Sequence, residues 1–500
     1  MNTRTDAAVF GGRRVHFIGI GGCGTSGLAR MMRSRGAFIT GSDEEASDVT
    51  RALAAEGIEV AVGPPAASIP NGTDLVVFSA AVQDSNPQLA AARSAGIECI
   101  NYAQALGAAQ SDRTAVSIAG THGKSTTTAL LSHLLIEAGL DPSVIVGAHC
   151  PQFGGGTRTG SERIPAGPLV GKPGIFVAEA CEFNRSFHAH RPTLALINNV
   201  EEDHLDCYRS LDEIVKSFRA FAGLLPAAEC GGKLLIAHDG AHRRAVASGL
   251  ACSVQTFGWS PSADYEVKFI PATNEGTLYQ GDACLVSWRG HLIGEHNALN
   301  AAAAAILASW LGASWRDIQR GLESFAGVDR RMQKIGECES ASGARFMVFD
   351  DYGHHPTECE RTLTALRSAH EPRRLICVFQ PHQHSRTRFL LEQFAQSFAR
   401  ADLVIVPPIY FVRDSEIERT RVCSGDLVQR LIARGTDALA IDDFGAITDR
   451  IAADAHDGDL VVVMGAGPVW KIAHELVRRH GLTVRAAATC PPRAAASPSE

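Results

Sequence analysis

The chain has 500 residues, of which 45% are hydrophobic and 20% are charged, and its formal net charge is −7. This is the composition of a globular protein of several domains, and its acidic balance argues against a general nucleic-acid-binding surface. The 13 cysteines never form a Cys-x-x-Cys pair, which favours reduced thiols over a disulfide framework or a zinc site. No export signal and no apolar run long enough to span a bilayer is recognisable. We therefore expect a cytoplasmic protein with no membrane or nucleic-acid partner.

Strand-like and helical segments alternate along the chain, which predicts an α/β fold with parallel sheets flanked by helices. The first block has strand-like segments at 15–20, 38–43 and 74–80. The second has them at 114–119, 176–180 and 194–200, followed by helical segments at 296–311 and 314–325. The third has them at 345–352, 375–381, 402–408 and 459–467. We predict three domains, 13–110, 111–328 and 329–482, and a disordered tail rich in Ala, Pro and Ser at 483–500.

A first glycine loop follows the first strand-like segment. Gly19, Gly21 and Gly24 fit Gly-x-Gly-x-x-Gly, and Asp43 lies downstream at the end of the next strand-like segment. Glycines let the backbone approach a diphosphate at the N-terminus of a helix. The loop therefore fits an NAD cofactor and a UDP-sugar equally well, and a tight turn without a ligand is the third alternative.

A second glycine loop lies between the strand-like segment 114–119 and a helical segment. Gly123, Lys124 and Ser125 match the end of a P-loop, but Ile118 stands where the usual pattern has a glycine. In such a loop the lysine reaches the terminal phosphates of ATP, and the serine hydroxyl can bind Mg²⁺. We predict an ATP site here, with a bare glycine turn as the alternative.

Several motifs in a fixed order resemble those of the Mur ligase family. Gly-Thr-His-Gly-Lys-Ser-Thr is similar to the shortened P-loop of that family, and the resemblance covers about residues 13–482. The other motifs are GIGGCGTSGLA, VAEACEFNRSF, NNVEEDHLDCY, GEHNALNAAAA, GVDRRMQ, DDYGHHPTE and QPHQHSRTR. The resemblance implies an N-terminal Rossmann-like UDP-binding domain, a central P-loop-type ATPase domain with a mostly parallel sheet, and a Rossmann-like C-terminal domain that binds the amino acid.

The resemblance also implies an activity, in which ATP and Mg²⁺ are used to join L-alanine to the carboxylate of UDP-N-acetylmuramate. The reaction passes through an acyl phosphate and belongs to peptidoglycan precursor synthesis. A carboxylate and ATP are both anionic, so neutralising their charge is the main task of such a site. The implied state of the protein is a monomer or a weak homodimer.

Residue roles follow from the loops and from the resemblance. The expected catalytic residues are Lys124, Glu179 and His204, and the expected metal ligands are Ser125, Glu179 and His204. The UDP-linked substrate is expected at Gly21, Gly22, Gly24, Asp43 and Ser79, and the amino acid at Tyr352, His354 and Arg386. ATP is expected at Gly120, Thr121, His122, Gly123, Lys124, Ser125, Thr126, Asn297, Asn300, Arg330 and Asp351. For Asn297 the alternative role is capping of a helix.

Four positions depart from the family pattern. Aspartates are usual where Cys181 and Asn184 stand, arginine where Gln383 stands, and aspartate where Pro468 stands. Four alternatives are a ligase that attaches a recycled murein peptide, an NAD-dependent oxidoreductase, a UDP-sugar sensor without catalysis and a folate polyglutamate ligase. The second loop and the EEDHLD segment have no role in an oxidoreductase. The folate ligases lack a UDP-binding first domain.

Overall fold

The computed structural model describes residues 9–204, 207–412 and 414–482, so the tail predicted at 483–500 lies outside the described residues. The described residues form three β-sheets with helices between their strands, which confirms the predicted α/β fold class. The chain divides into two compact units. One runs up to residue 331 and includes residues 360–371, and the other contains residues 332–359 and the chain from 372 onwards. No helix in the described ranges is both long and apolar enough to cross a membrane.

The first sheet has five parallel strands in the order β3-β2-β1-β4-β5. The strands are β1 (Arg14–Ile18), β2 (Phe38–Asp43), β3 (Glu59–Val62), β4 (Leu75–Phe78) and β5 (Glu98–Asn101). The helices are α1 (Cys23–Ser34), α2 (Asp48–Ala55), α3 (Pro87–Ser94) and α4 (Tyr102–Gln110). Strand order reverses between β1 and β4, and in open α/β sheets ligands bind at the carboxyl end of such a reversal.

The central sheet has ten strands in the order β15-β14-β13-β12-β11-β10-β6-β9-β7-β8. Its strands are β6 (Thr114–Ala119), β7 (Ser143–Cys150), β8 (Gly155–Arg158), β9 (Ile175–Glu179), β10 (Leu194–Ile197), β11 (Lys233–Ala237), β12 (Ser253–Gly258), β13 (Tyr265–Ile270), β14 (Glu275–Gln280) and β15 (Ala283–Arg289). Its helices are α5 (Lys124–Glu137), α6 (Leu211–Ala222), α7 (Arg243–Ala247), α8 (Glu295–Trp310) and α9 (Trp315–Ser324), with 3₁₀ helices at Pro151–Phe153, Phe183–Ala189 and Ala228–Cys230. Helices α5 and α8 pack in one apolar core, where the alanines of α8 allow a close approach.

The third sheet, in the second unit, has the order β16-β17-β21-β18-β19-β20, and only β16 is antiparallel. Its strands are β16 (Gln333–Glu339), β17 (Arg345–Asp351), β18 (Leu375–Phe379), β19 (Leu403–Val406), β20 (Asp437–Ala440) and β21 (Asp459–Met464). The helices of this part of the chain are α10 (Pro356–His370), α11 (His384–Phe389), α12 (Leu391–Ser397), α13 (Glu416–Arg419), α14 (Ser424–Ala433), α15 (Phe444–Asp454) and α16 (Trp470–His480).

Helix α4 connects the first sheet to the central sheet and is fixed at its C-terminal half. A Cβ atom on Gly107 would lie 1.8 Å from the carbonyl oxygen of Ala189, so only glycine allows this contact. The Gln110 side chain accepts a hydrogen bond from the Arg191 backbone N–H (2.9 Å) and donates one to Ser117 Oγ of β6 (3.3 Å). The helix is therefore held both by the strand that leads to the second glycine loop and by the segment that follows β9.

Candidate active site

The first glycine loop opens onto a cleft at the carboxyl ends of β1, β2 and β4. This cleft has a volume of about 680 Å³, and Gly22, Asp43 and Ser79 are among its lining residues. The Gly21 backbone N–H donates a hydrogen bond to Asp43 Oδ2 (2.8 Å), which fixes the loop against the end of β2. Three of the five residues predicted to contact the UDP-linked substrate thus line one cleft, and a fourth, Gly21, is hydrogen-bonded to one of them.

The fifth of these residues, Gly24, lies in the first turn of α1. A Cβ atom on Gly24 would lie 2.5 Å from the hydroxyl oxygen of Tyr102 and 2.7 Å from its Cζ. The close approach of Tyr102 is therefore sufficient to require glycine at this position, whatever binds at the loop. A direct contact between Gly24 and the substrate stays a prediction.

The second glycine loop joins the end of β6 to the start of α5. Gly123 has φ of +81° and immediately precedes Lys124, the first residue of the helix. The ammonium group of Lys124 donates hydrogen bonds to the carbonyl oxygens of Gly120 (2.7 Å) and Thr121 (3.0 Å). The lysine therefore spans its own loop, at the helix N-terminus where phosphates bind in proteins.

Lys124 also pairs with Glu182, a residue for which the sequence analysis predicted no role. Lys124 Nζ lies 3.0 Å from Glu182 Oε2, and the Glu182 side chain is only 3% exposed. Burial alone would lower the pKa of Lys124, but the carboxylates of Glu182 and Glu179 and the hydrogen bond to Glu182 raise it above its usual value. The lysine therefore stays charged, as its predicted role in phosphate binding requires.

Ser125 and Glu179 lie next to each other, as the metal-site prediction requires. Ser125 Oγ lies 3.1 Å from Glu179 Oε1 and 3.0 Å from Oε2, and the Gly147 backbone N–H donates to Glu179 Oε2 (2.8 Å). Hydroxyl and carboxylate oxygens are the hard donors that Mg²⁺ prefers, so these residues fit that ion. Thr126, the next residue, is buried in the first turn of α5.

His204 lies beside Glu182. Its Nε2 atom is 3.9 Å from Glu182 Oε1, and its ring meets the Phe183 ring edge-on with centroids 5.1 Å apart. Its backbone has φ of +53°, and its N–H donates to Asp203 Oδ1 (2.6 Å). A ligand role for His204 stays a prediction, and an imidazole suits Mg²⁺ less well than an oxygen does.

Two departures from the family pattern fall on this segment. Asn184 has φ of +50°, a conformation that asparagine tolerates better than most residues, so the change from aspartate keeps the local backbone. Cys181 is exposed and directly precedes Glu182. Nothing in the structure explains the change at Cys181.

Asn199, which follows β10, is hydrogen-bonded to the backbone of the second glycine loop. The Asn199 side chain accepts a hydrogen bond from the His122 N–H (2.7 Å) and donates one to the His122 carbonyl oxygen (3.2 Å). The Asn199 carbonyl oxygen accepts from the Thr121 N–H (3.1 Å), and the Thr121 hydroxyl oxygen accepts from the Glu201 N–H (2.9 Å). Thr121 and His122, both predicted at the ATP site, are therefore held by the strand next to β6.

Replacing Asn199 by alanine should weaken ATP binding about tenfold, because the His122 backbone loses its two hydrogen bonds to the Asn199 side chain and the nucleotide must then order the loop. Calorimetry with ATP measures this change. Asn199→Asp keeps the acceptor for the His122 N–H but replaces the donor by a charged oxygen that repels both the His122 carbonyl and the phosphates of ATP, so it should bind ATP at least as weakly as Asn199→Ala. Unchanged affinity in Asn199→Ala would show that the loop keeps its shape without this side chain.

Asn300 and Asn297 belong to a hydrogen-bonded chain behind the loop. Asn300 Oδ1 accepts from the Thr127 hydroxyl (3.2 Å) and lies 3.4 Å from Asn198 Nδ2, and Asn300 Nδ2 donates to Asn297 Oδ1 (3.1 Å). The N-cap of α8 is Gly294, so the alternative that Asn297 caps this helix is wrong. Contact of either asparagine with the nucleotide stays a prediction.

Two further residues predicted at the ATP site lie elsewhere along the chain. Arg330 has φ of +60° and lies near the end of the first unit. In the second unit, both carboxylate oxygens of Asp351 accept backbone hydrogen bonds, from Gly353 (2.6 Å) and Met332 (2.7 Å). Asp351 therefore orders the end of β17, and its contact with ribose stays a prediction.

The residues predicted to bind the amino acid lie at the carboxyl ends of β17 and β18 in the second unit. The Tyr352 and His354 rings meet edge-on with their centroids 5.3 Å apart. The centroids of the His354 and His382 rings are 5.7 Å apart. Arg386 is buried in α11, the helix that follows His382. Gln383 precedes this helix with φ of +67°, and its carbonyl oxygen accepts from the Thr387 hydroxyl (2.7 Å).

Models of one family match all three parts of this chain. The Mur ligase family catalytic domain matches residues 14–114, the Mur ligase middle domain 118–308, and the Mur ligase glutamate ligase domain 330–467. A UDP-N-acetylmuramate--L-alanine ligase from Caldanaerobacter subterraneus subsp. tengcongensis is 36% identical over 473 residues, covering 94% of this chain and 98% of that protein. The chain belongs to the Mur ligase family.

Other relatives agree with this assignment. A UDP-N-acetylmuramate--L-alanine ligase from Agathobacter rectalis is 35% identical over 93% of this chain and 98% of that protein. Among solved structures, the UDP-N-acetylmuramate-alanine ligase MurC of Thermotoga maritima has a TM-score of 0.72 at 24% identity, covering 93% of this chain and 98% of that one. A murein peptide ligase from Psychrobacter arcticus has a TM-score of 0.68 at 25% identity with the same coverage. The three-domain α/β architecture is that of the Mur ligases, which are ATP-dependent enzymes, and the oxidoreductase alternative does not fit it.

Proposed function

We propose that the protein is the ATP-dependent ligase that joins L-alanine to the carboxylate of UDP-N-acetylmuramate. The observation that supports this most strongly is the match, over nearly the whole chain, to relatives that are named for this reaction. The loop residues add the required chemistry, since Lys124 and the Ser125–Glu179 pair lie together at the start of α5. On this proposal residues 13–110 bind the UDP-linked substrate, 111–328 bind ATP, and 329–482 bring the amino acid.

The two glycine loops divide the binding of the substrates between them. The cleft at Gly22, Asp43 and Ser79 is open enough for a nucleotide sugar, and its diphosphate would bind at the N-terminus of α1. ATP would bind at the N-terminus of α5, where Lys124 begins the helix and would reach the terminal phosphates. A carboxylate from the first site then meets the γ-phosphate at the second.

Mg²⁺ would be held by Ser125 and Glu179, and when bound it neutralises phosphate charge in the transition state. Lys124 contributes a fixed positive charge at the same place, and Glu182 holds that lysine in position. Transfer of the γ-phosphoryl group to the carboxylate gives an acyl phosphate, which the amine of alanine attacks with loss of inorganic phosphate. Arg386 would bind the carboxylate of alanine through its planar guanidinium.

Phosphate release tests the proposed function directly. The purified protein is incubated with ATP, Mg²⁺, UDP-N-acetylmuramate and one amino acid at a time. Released phosphate is quantified, and the mass of the product is measured by mass spectrometry. We expect phosphate and a product heavier by one alanine residue with L-alanine. Absence of turnover with every amino acid would contradict the proposal.

One other activity is supported by a specific observation. The murein peptide ligase of Psychrobacter arcticus has nearly the same TM-score as the alanine ligase of Thermotoga maritima. The same assay therefore includes the tripeptide L-alanyl-γ-D-glutamyl-meso-diaminopimelate in place of alanine. Turnover with this peptide alone would favour the peptide ligase. A cytoplasmic location and a monomeric or weakly dimeric state stay predictions.

A further inference from the structure

The two faces of the first sheet have different neighbours. Phe17 of β1 belongs to a core that α1 and β9 share, through Leu28 and Phe176. Ile18, the next residue of β1, points to the opposite face and packs with Leu89 of α3. The central sheet therefore lies on the α1 side of the first sheet, and α3 covers the other side.

The cleft at the first glycine loop reaches both sides. Its lining includes Gly22, the N-cap of α1, and Gln88, in the first turn of α3. A substrate whose diphosphate binds at the N-terminus of α1 must direct its sugar carboxylate towards Glu179, at the end of β9 in the central sheet. Its nucleoside is then left on the α3 side of the cleft.

The charges of the cleft favour the same orientation. Three consecutive carboxylates line it, those of Asp43, Glu44 and Glu45, and none of the described residues that line it is Lys, Arg or His. An acidic wall repels phosphate, so the diphosphate is best placed at the backbone N–H groups of the glycine loop. The neutral nucleoside can occupy the rest of the cleft.

Gln88 is held at both ends of its carboxamide. Its Oε1 atom accepts a hydrogen bond from the Ser42 hydroxyl (2.5 Å), and its Nε2 atom lies 3.3 Å from His16 Nε2. Burial lowers the pKa of His16 to about 4, so this ring is neutral, and its Nδ1 atom lies 2.8 Å from Thr40 Oγ1. His16 therefore accepts from the Gln88 amide through Nε2 and donates to Thr40 through Nδ1.

The amide of Gln88 keeps hydrogen-bonding capacity for a ligand. A primary amide has two N–H donors and two acceptor lone pairs, and His16 and Ser42 use one of each. In the part of the chain that the structure describes, no other residue is hydrogen-bonded to this side chain. One donor and one acceptor remain on a group that lines the cleft. Uracil presents the complementary pair, an N3–H donor next to the O4 acceptor.

We propose that Gln88 recognises the uracil ring of the UDP-linked substrate, by donating its remaining N–H to O4 and accepting from N3–H. Amide side chains bind the edges of nucleobases in this two-pronged way. Ser42 and His16 hold the plane of the amide from either end. The inference rests on the proposed function, because that function supplies the nucleotide, and it makes Gln88 a residue that selects uridine.

Calorimetry with UDP and with 3-methyluridine diphosphate, which lacks the N3–H, tests this role. The wild type should bind UDP roughly 10- to 100-fold more tightly, the loss expected for two hydrogen bonds. Gln88→Met, of similar length and without the amide, should bind both ligands equally and as weakly as the wild type binds the methylated one. Gln88→Asn keeps an amide that is too short to reach the base, and it should lose the same selectivity.

Gln319→Met is the matched control, because Gln319 is an exposed residue of α9, and it should keep the wild-type ratio of affinities. Unchanged affinity for ATP shows that the second glycine loop is intact in each variant. The inference is overturned if the wild type binds both ligands equally, or if Gln88→Met and Gln88→Asn keep the wild-type ratio. If the uridine selectivity depends on Gln88 but the wild type ligates no amino acid, the proposed function is wrong and the role of Gln88 stands.

Discussion

Replacing Lys124 by alanine should lower the rate of phosphate release by at least about 10²- to 10³-fold, the usual cost of removing one group that stabilises transition-state charge. The substitution has a second effect, because it leaves the carboxylate of Glu182 buried without its cation. Breaking a buried ion pair from one side costs about 3–5 kcal/mol of the free energy of unfolding. The measurements are initial rates at saturating substrates and denaturant unfolding of the same samples.

A double variant separates the two effects. Lys124→Ala combined with Glu182→Gln removes both charges, so it should recover most of the stability and none of the activity. Lys268→Ala is the matched control, since Lys268 is an exposed residue of β13 whose carboxylate partner is Glu266. A folded double variant that releases phosphate within tenfold of the wild-type rate would rule out a catalytic role for Lys124.

Glu179→Gln should raise the Mg²⁺ concentration needed for half-maximal activity at least about tenfold and lower the maximal rate. Glutamine has nearly the same shape and can still accept a hydrogen bond from the Gly147 N–H, so the loss reports the missing charge beside Ser125. The measurement is a Mg²⁺ titration of the rate at saturating ATP. A melting temperature equal to that of the wild type shows that the fold is intact.

The control for this substitution is Glu98→Gln. Glu98 is a residue of β5 that forms a surface ion pair with Arg13. This control should leave the Mg²⁺ dependence unchanged. If Glu179→Gln and the control give the same titration, the metal is bound by other groups, and His204 becomes the first residue to test.

Several parallel strands could be predicted from the sequence because they are almost continuously apolar, as in β18 (Leu375–Phe379) and β21 (Asp459–Met464). The segments predicted at 38–43 and 114–119 are β2 (Phe38–Asp43) and β6 (Thr114–Ala119) with the same bounds. The antiparallel meander β13–β15 was not predicted. Its strands are buried on one face only, so their side chains alternate between buried and exposed and give no apolar run.

The candidate site was predictable where its residues are close in sequence. Gly123, Lys124 and Ser125 are consecutive residues of one loop. The position of this loop between a strand and a helix identifies it as a candidate phosphate-binding loop. The partner of Lys124 was not predicted, since Glu182 lies 58 positions further along the chain and only the fold brings the two together.

The attachment of α4 to the central sheet has a consequence for the cost of bringing the reactants together. The contact of Gly107 with Ala189 is between backbones, so no side-chain rotation can loosen it. The contact therefore ties the helix that follows the first sheet to the segment that follows β9 in the central sheet. Two reactants lose translational and rotational freedom when they are aligned for reaction. Where folding already holds their two binding sites together, part of this entropy cost is supplied in advance, and the effective molarity of the carboxylate towards the γ-phosphate would be higher. An alanine at position 107 would loosen this alignment and slow phosphoryl transfer even with every catalytic side chain in place.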